Sequence, residues 1–344
     1  MGRLAWLDGM KGLGILIVML GHFCSVPLIV KAGYMPLFFF AAGFTYKPSL
    51  SFNDKSFNDT LSKKGKRLLI PWLVYGLIIF IVERGYDLIS HTFSWSLFIE
   101  KLTGLLYMRS SFYWPYENAI HGNMLSTNGP MWFLCTMFCV FLYMVVYERC
   151  QRKWVFVSGL ILLTFLTYQL PIQFPWGAEL ALTGTMTMLV AICHKQKLVE
   201  MGGAEITITL VISLIIYCLL TFYNGHSDMM FRDYGTHGFL SVPIFFMQGI
   251  LYSLIALSVC RLSEKTYILK ALSYVGRNSM RLLCIHLFIG EYTKIVLSKL
   301  IPASVDWSDY LMACVYIALV LVINEALNRI FAKYQNKYTI LKWI

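Results

Sequence analysis

Two ionisable residues, Lys11 and His22, stand in the first apolar stretch of this 344-residue chain, eleven positions apart. On an α-helix, eleven residues amount to three turns plus about 20°, and to about 16 Å along the axis. Both side chains are therefore predicted to lie on nearly the same face. Ionisable groups inside a membrane span are costly and by default mark a functional site. A cation near one end and a proton-transferring imidazole deeper in suit a long anionic acyl donor.

The composition is typical of a polytopic membrane protein. Hydrophobic residues make up 58% of the chain and charged residues 14%, whereas soluble domains carry roughly 25% charged residues. The net charge of +11 is explained by Lys and Arg clustered in alternate short loops, so we expect a lipid bilayer and no nucleic acid as partner. The nine cysteines show neither CxxC nor Cys/His spacing, which supports no disulfide framework and no metal site.

Hydropathy predicts an all-α fold with about ten transmembrane helices in a single membrane domain over residues 1–344. The predicted helices cover 6–24, 28–46, 68–82, 131–147, 154–170, 176–193, 206–223, 239–260, 280–301 and 307–332. Residues 95–108 are too few and too polar to span and are predicted to form an interfacial helix in an outer loop. Ten spans place both termini and the basic loops 47–67, 149–153, 194–205 and 261–277 on one side, which the positive-inside rule makes cytoplasmic.

Several motifs occur in a fixed order along almost the whole chain. They are LDGMKG with LGH (7–12 and 20–22), MPLFFFAAGF (35–44), GKRLLIPW (65–72), GPMWFL (129–134), and VGRNSM with IHLF (275–280 and 285–288). Together they resemble the membrane-bound acyltransferase 3 family, and within it the branch of fucose 4-O-acetylases. Lys11 stands where the family usually has arginine. Because lysine is a point charge and not a planar fork, this change suits a phosphate or carbonyl anchor better than a bidentate carboxylate partner.

The resemblance implies an O-acyltransferase that moves an acetyl group from acetyl-CoA to a hydroxyl of a surface glycan or lipid-linked sugar. It would act in the bacterial inner membrane with no metal. His22 is the predicted general base. Lys11, Lys66 and Arg67 are predicted to hold the donor, since cations on the cytoplasmic side can meet its phosphates. The predicted substrate contacts are given by His286, Trp132 and Asp8.

Each of these residues also has a purely structural interpretation. His22 and His286 can be packed imidazoles that bond backbone carbonyls. Lys11 can extend to the membrane surface, and Asp8 can be a helix N-cap and partner of Lys11. Trp132 can be a core aromatic, and the basic residues near Arg67 can serve orientation and lipid contact. The outer-loop residues are solvated or bind the acceptor: Glu117, His121, Asn123, Asp228, Arg232 and Asp233.

A different class of function also fits the helix count. Ten helices, a proline in the second helix and buried ionisable groups are compatible with an exporter of glycans or small solutes without acyl transfer. Against this alternative, the sequence contains no inverted repeat and no matching pair of broken helices.

Overall fold

The structure is a computed structural model that describes residues 4–47, 54–109, 112–114, 119–121, 129–300, 309–334 and 341. The helices, in chain order, are α1 (Ala5–Phe23), α2 (Leu28–Lys31), α3 (Pro36–Thr45), α4 (Asp54–Ile89), α5 (Trp95–Tyr107), α6 (Trp132–Arg149), α7 (Lys153–Tyr168), α8 (Ala178–Glu200), α9 (Gly203–Asn224), α10 (Ser241–Leu262), α11 (Tyr267–Arg277), α12 (Ser279–Leu300) and α13 (Asp309–Tyr334). One short antiparallel hairpin pairs β1 (Phe112–Trp114) with β2 (Ala119–His121). The prediction of an all-α polytopic membrane protein is confirmed.

Eight helical stretches of the described residues are long and apolar enough to cross a membrane. Two of the ten predicted spans fall short of that description. The first, α7, is apolar but has only 16 residues, about 24 Å of helix against a hydrocarbon core of about 30 Å. The second, α12, has 22 residues and carries the charged side chains Arg281, Glu291, Lys294 and Lys299. The predicted helix at 95–108 is present as α5, whose 13 residues are too few to span.

The third predicted helix begins much earlier than its hydropathy indicates. Residues 47–67 were predicted as a basic loop before a helix at 68–82, but α4 runs through 36 residues from Asp54 to Ile89. Hydropathy detects only the apolar part of a helix, whereas lysine and arginine are good helix formers. A helix of this length is about 54 Å long, so it exceeds the hydrocarbon thickness and its basic part extends beyond it. Lys66 and Arg67 therefore lie on a helix and not in a loop.

The second predicted helix is broken in two. Residues 28–46 form α2 and α3, separated by a turn at residues 32–35. Pro36 occupies the first turn of α3, where its missing N–H costs nothing, and it could not have continued a helix from residue 32.

The predicted cytoplasmic loop 261–277 contains a helix, α11, that hydropathy alone does not reveal. Its N-cap is Thr266, whose hydroxyl accepts from Leu269 N at 3.3 Å. Leu269, Ser273 and Gly276 form its buried face, the spacing of an amphipathic helix.

The helices form two compact units. The first unit comprises Met1–Pro48, Tyr143–Gln169 and Leu180–Ser279, and the second comprises Ser49–Leu142, Leu170–Glu179 and Met280–Ile344. In the first unit, α1, α3, α9 and α10 enclose a core that includes Met10, Leu37, Phe40 and Leu257. Glycines let these helices approach closely, as in other membrane bundles. A Cβ on Gly249, for example, would lie 2.5 Å from Pro36 Cβ.

Candidate active site

Lys11 and His22 both lie on α1, which is unbroken from Ala5 to Phe23. The predicted arrangement on one face follows from that continuity, with about 16 Å of helix between the two residues. The Lys11 side chain is partly buried, whereas His22 is exposed in the last turn of the helix. The imidazole therefore lies at the end of α1, and the cation lies near its beginning.

Asp8 is the ion partner of Lys11 and not a helix N-cap. Its Oδ1 lies 3.9 Å from Lys11 Nζ, which confirms the predicted pairing. The N-cap prediction is wrong, because α1 begins at Ala5 with Leu4 in the cap position and no side-chain cap bond. In the first turn, the Asp8 carboxylate is instead favoured by the helix dipole.

The beginning of α1 packs directly against the backbone of α11. A Cβ on Gly12 would lie 1.9 Å from the carbonyl oxygen of Leu272, and a Cβ on Gly276 would lie 1.8 Å from that of Asp8. Ser273 Oγ also donates to Ala5 O at 2.7 Å. Two sequence motifs more than 260 residues apart, 7–12 and 275–280, are therefore in backbone contact. This contact fixes the position of the Asp8–Lys11 pair.

At the other end of α1, the chain continues from His22 into α2. The end of α2 contacts the loop that connects α9 to α10. Two hydroxyls of the first unit bond carbonyls of this segment. Tyr217 Oη donates to Ile29 O at 2.8 Å, and Ser227 Oγ donates to Ala32 O at 3.3 Å. The positively charged Lys31 lies between these two carbonyls in the sequence and interacts electrostatically with His22.

The loop after α9 is a compact polar structure. Asp228 and Asp233 form an isolated β-bridge, and His226 Nδ1 lies 3.1 Å from Asp233 Oδ2. Burial raises the pKa of Asp228 above its ordinary value, even though Met230 N donates to its Oδ1 at 2.9 Å and Lys31 acts in the opposite direction. The loop therefore brings a partly buried carboxyl group near the end of helix α2.

A buried amide network anchors this loop to the helices. Asn224 Nδ2 donates to Tyr234 O at 2.7 Å and to Gln248 Oε1 at 3.0 Å. Gln248 Nε2 in turn donates to Thr221 Oγ1 at 3.0 Å. Asn224, Gln248 and Thr221 are fully buried, and buried polar groups of this kind specify one geometry when they are bonded.

The predicted donor-binding cations Lys66 and Arg67 belong to the second unit. Both side chains are exposed on α4. Two residues before Lys66, Lys64 lies over the Phe141 ring with its Nζ 4.4 Å from the ring centroid. This part of α4 is thus a basic surface. Lys64 lies against an aromatic ring, whereas Lys66 and Arg67 are exposed.

His286 and Trp132 are both buried in the second unit. The Nδ1 of His286 lies 2.9 Å from Leu282 O, and since a carbonyl can only accept, this geometry assigns the proton to Nδ1 and makes Nε2 the basic nitrogen of the neutral ring. Trp132 packs edge to face on Phe133, with centroids 6.1 Å apart. Of the other predicted acceptor contacts, His121 lies in β2, while Glu117 and Asn123 lie outside the described residues.

The sequence did not indicate a buried ion pair of the second unit. Arg109 Nη2 donates to Glu179 Oε1 at 2.8 Å, and neither side chain has any exposed surface. Close by, Trp176 Nε1 donates to Leu106 O at 2.8 Å, and Tyr107 Oη donates to Gln173 O at 2.6 Å. Burial and the Glu179 carboxylate raise the pKa of Tyr107. Because 70 residues separate Arg109 from Glu179, no local pattern reveals the pair.

Comparison with known proteins gives one match. A family model described as an acyltransferase domain, of the acyltransferase 3 type, matches residues 4–327. No curated protein and no solved structure matches the chain. The family match covers both units and includes every residue that we selected as a candidate for catalysis or binding.

Proposed function

Because the chain belongs to the acyltransferase 3 family of membrane proteins, we propose that it transfers an acetyl group from acetyl-CoA to a carbohydrate hydroxyl. The acceptor is a surface glycan or its lipid-linked precursor, as in the fucose 4-O-acetylase branch that the motifs resemble. The observation that carries the proposal is the unbroken helix α1 with exposed His22 in its last turn and Lys11 on the same face. The protein acts in the bacterial inner membrane with both termini in the cytoplasm.

In the proposed reaction, His22 is the general base. The imidazole removes the proton of the acceptor hydroxyl as its oxygen attacks the thioester carbonyl carbon. A C–O bond forms and the carbonyl electron pair moves to oxygen. When this oxyanion collapses, the C–S bond breaks, the thiolate of CoA leaves with the electron pair, and the imidazolium returns the proton to it. The products are an acetyl ester and CoA.

Two further predicted residues of the first unit, Lys11 and Asp8, act on the donor. Lys11 holds the phosphates or the carbonyl of the donor, whose charge favours cationic partners. Asp8 keeps Lys11 in place through its 3.9 Å ion contact. The roles of Lys66, Arg67, His286 and Trp132 in the second unit stay predictions from the sequence.

The test is comparative mass analysis of envelope glycans from cells that carry the wild type, the His22→Ala variant or no copy of this chain. We expect one additional acetyl group per acceptor sugar with the wild type only. In vesicles with labelled acetyl-CoA, we expect His22→Ala to lower transfer by about 10²–10⁴-fold. The exposed His194 offers a matched control, and His194→Ala should leave transfer unchanged.

Two results would reject the proposal. If glycan export depends on this chain but glycan acylation does not, the protein is an exporter. If an inserted and folded His22→Ala variant transfers acetyl groups at the wild-type rate, His22 is not the base.

A further inference from the structure

The proposed reaction develops a negative charge on the thioester oxygen, which a positively charged group of the first unit could stabilise. Lys31 is a partly buried cation in the short helix α2, directly after the segment that follows α1. A lysine within a membrane span usually has a function or a partner. Among the residues that the structure describes, no carboxylate forms an ion pair with Lys31.

The position of Lys31 is fixed from both sides. Two residues before it, the carbonyl of Ile29 accepts from Tyr217 Oη, and one residue after it, the carbonyl of Ala32 accepts from Ser227 Oγ. Gly33 adds a third restraint, because a Cβ there would lie 2.9 Å from Tyr252 Cβ. A lysine that only extended to the membrane surface would need no such restraints on its backbone.

The ammonium group of Lys31 interacts electrostatically with two groups, His22 and Asp228. The Ser227–Ala32 bond joins the segment of Lys31 to the residue before Asp228, and Lys31 follows His22 by nine residues. Lys31 also breaks the charge rule, since it lies at the end of its span that we predict to be extracytoplasmic, where lysine is disfavoured. The free-energy cost of a charged lysine at this position favours a functional role for Lys31.

We propose that Lys31 stabilises the oxyanion that forms when the acceptor hydroxyl attacks the acetyl thioester beside His22. This inference rests on the proposed acetyl transfer and adds a catalytic residue to it. The interaction of a fixed positive charge with the oxygen is stronger in the transition state than in the ground state, and it acts without any rearrangement. The same chemistry could instead bind a carboxylate of an acidic acceptor sugar, which the experiment separates.

The experiment compares three purified variants in phospholipid vesicles with labelled acetyl-CoA. The acceptors are de-O-acetylated envelope glycans divided by anion exchange into neutral and acidic fractions. Lys31→Met removes the charge, Lys31→Arg retains it, and Lys197→Met removes an exposed charge of α8 as a control. Thermal unfolding of each variant establishes that it is folded, and Lys31→Gln replaces Lys31→Met if the latter does not insert.

We expect Lys31→Met to lower kcat by about 10²–10³-fold on both fractions, with the KM values of donor and acceptor little changed. Lys31→Arg should recover most of that loss and Lys197→Met should equal the wild type. Unchanged kcat in a folded Lys31→Met variant overturns the assignment of Lys31 alone. A rise in acceptor KM confined to the acidic fraction overturns it in favour of a carboxylate site. A wild-type protein that transfers no acetyl group overturns the proposed function, and this inference with it.

Discussion

The two ends of α1 are held by different kinds of contact. Near Gly12, the helix meets the backbone of α11 so closely that no Cβ fits between them. Near His22, the following segment is held by hydroxyl groups of Tyr217 and Ser227 that bond main-chain carbonyls. The first contact leaves no freedom for a change of shape, whereas the second depends on hydrogen bonds of ordinary strength. The end with Lys11 is thus positioned by steric fit and the end with His22 by polar groups.

The largest expected effect comes from the same substitution at the two ends of α1. In Gly12→Ala the new Cβ would lie 1.9 Å from Leu272 O, whereas in Gly21→Ala the nearest atom is Val26 Cγ2 at 3.8 Å. We expect Gly12→Ala to lower the free energy of unfolding by about 3 kcal/mol or more, as overpacking against backbone does. Gly21→Ala should change it by no more than about 1 kcal/mol. Thermal unfolding in detergent measures both, and equal effects would show that the steric contact is absent.

A smaller effect is expected where the polar end is anchored. Asn224→Ala removes the Nδ2 group that donates hydrogen bonds to Tyr234 O and Gln248 Oε1. It should lower the free energy of unfolding by about 1–3 kcal/mol, the cost of unsatisfied buried groups. The control is Asn278→Ala, which removes a less buried bond to Tyr274 O of 2.9 Å. A larger loss in the control than in Asn224→Ala would contradict the importance of the buried network.

Removal of the Asp8–Lys11 contact tests whether charge adds to the steric fit at the first end. The Nζ–Oδ1 distance is 3.9 Å, and the Lys11 and Asp8 side chains are 24% and 12% exposed. A double-mutant cycle with Asp8→Asn and Lys11→Met should give a coupling energy of about 0.2–1 kcal/mol. The coupling should decrease at high salt. A coupling above that range would make the pair, and not the glycine contact, the main restraint.

The features predicted from the sequence are those that depend on neighbouring residues. An apolar run with isolated charges identified α1, Lys11 and His22, and the length and polarity of residues 95–108 identified α5. Contacts between distant segments escaped prediction. Helix α11 is too polar for a hydropathy signal, although the Thr266 N-cap and the spacing of Leu269, Ser273 and Gly276 could have revealed it. Lys31 was also missed, although a single cation in an apolar run indicates a candidate functional residue.

The buried ion pair shows the limit of local patterns. Arg109 lies in a stretch that was predicted as an outer loop, and Glu179 lies in the first turn of α8. Each residue alone is ordinary for its position, since acidic side chains are favoured at helix N-termini. Only the folded chain shows that they meet, because a buried charge requires its partner and no local pattern specifies which one.

The smallest expected effect is a pH dependence that belongs to the polar end alone. Burial raises the pKa of Asp228 above its ordinary value of 3.8, against the opposing effects of Met230 N–H, Lys31 and His226. The Asp228 carboxyl group therefore binds a proton more tightly in the folded protein than in the unfolded chain. The protonated Asp228 carboxyl contributes fully to the stability of the folded protein below pH 3.8. This contribution is lost as the pH rises through the raised pKa of Asp228 in the folded protein.

The variant Asp228→Asn has no ionisable group at this position, but its side-chain amide keeps an oxygen to accept from Met230 N. We therefore expect the unfolding temperature of the wild type to fall relative to that of Asp228→Asn as the pH rises through this window, and the difference to stay constant above it. Gly12→Ala should show no such window, because its clash involves backbone atoms that bind no proton. A wild type that gains stability over Asp228→Asn with rising pH would place an ion pair, and not burial, in control of this carboxyl group.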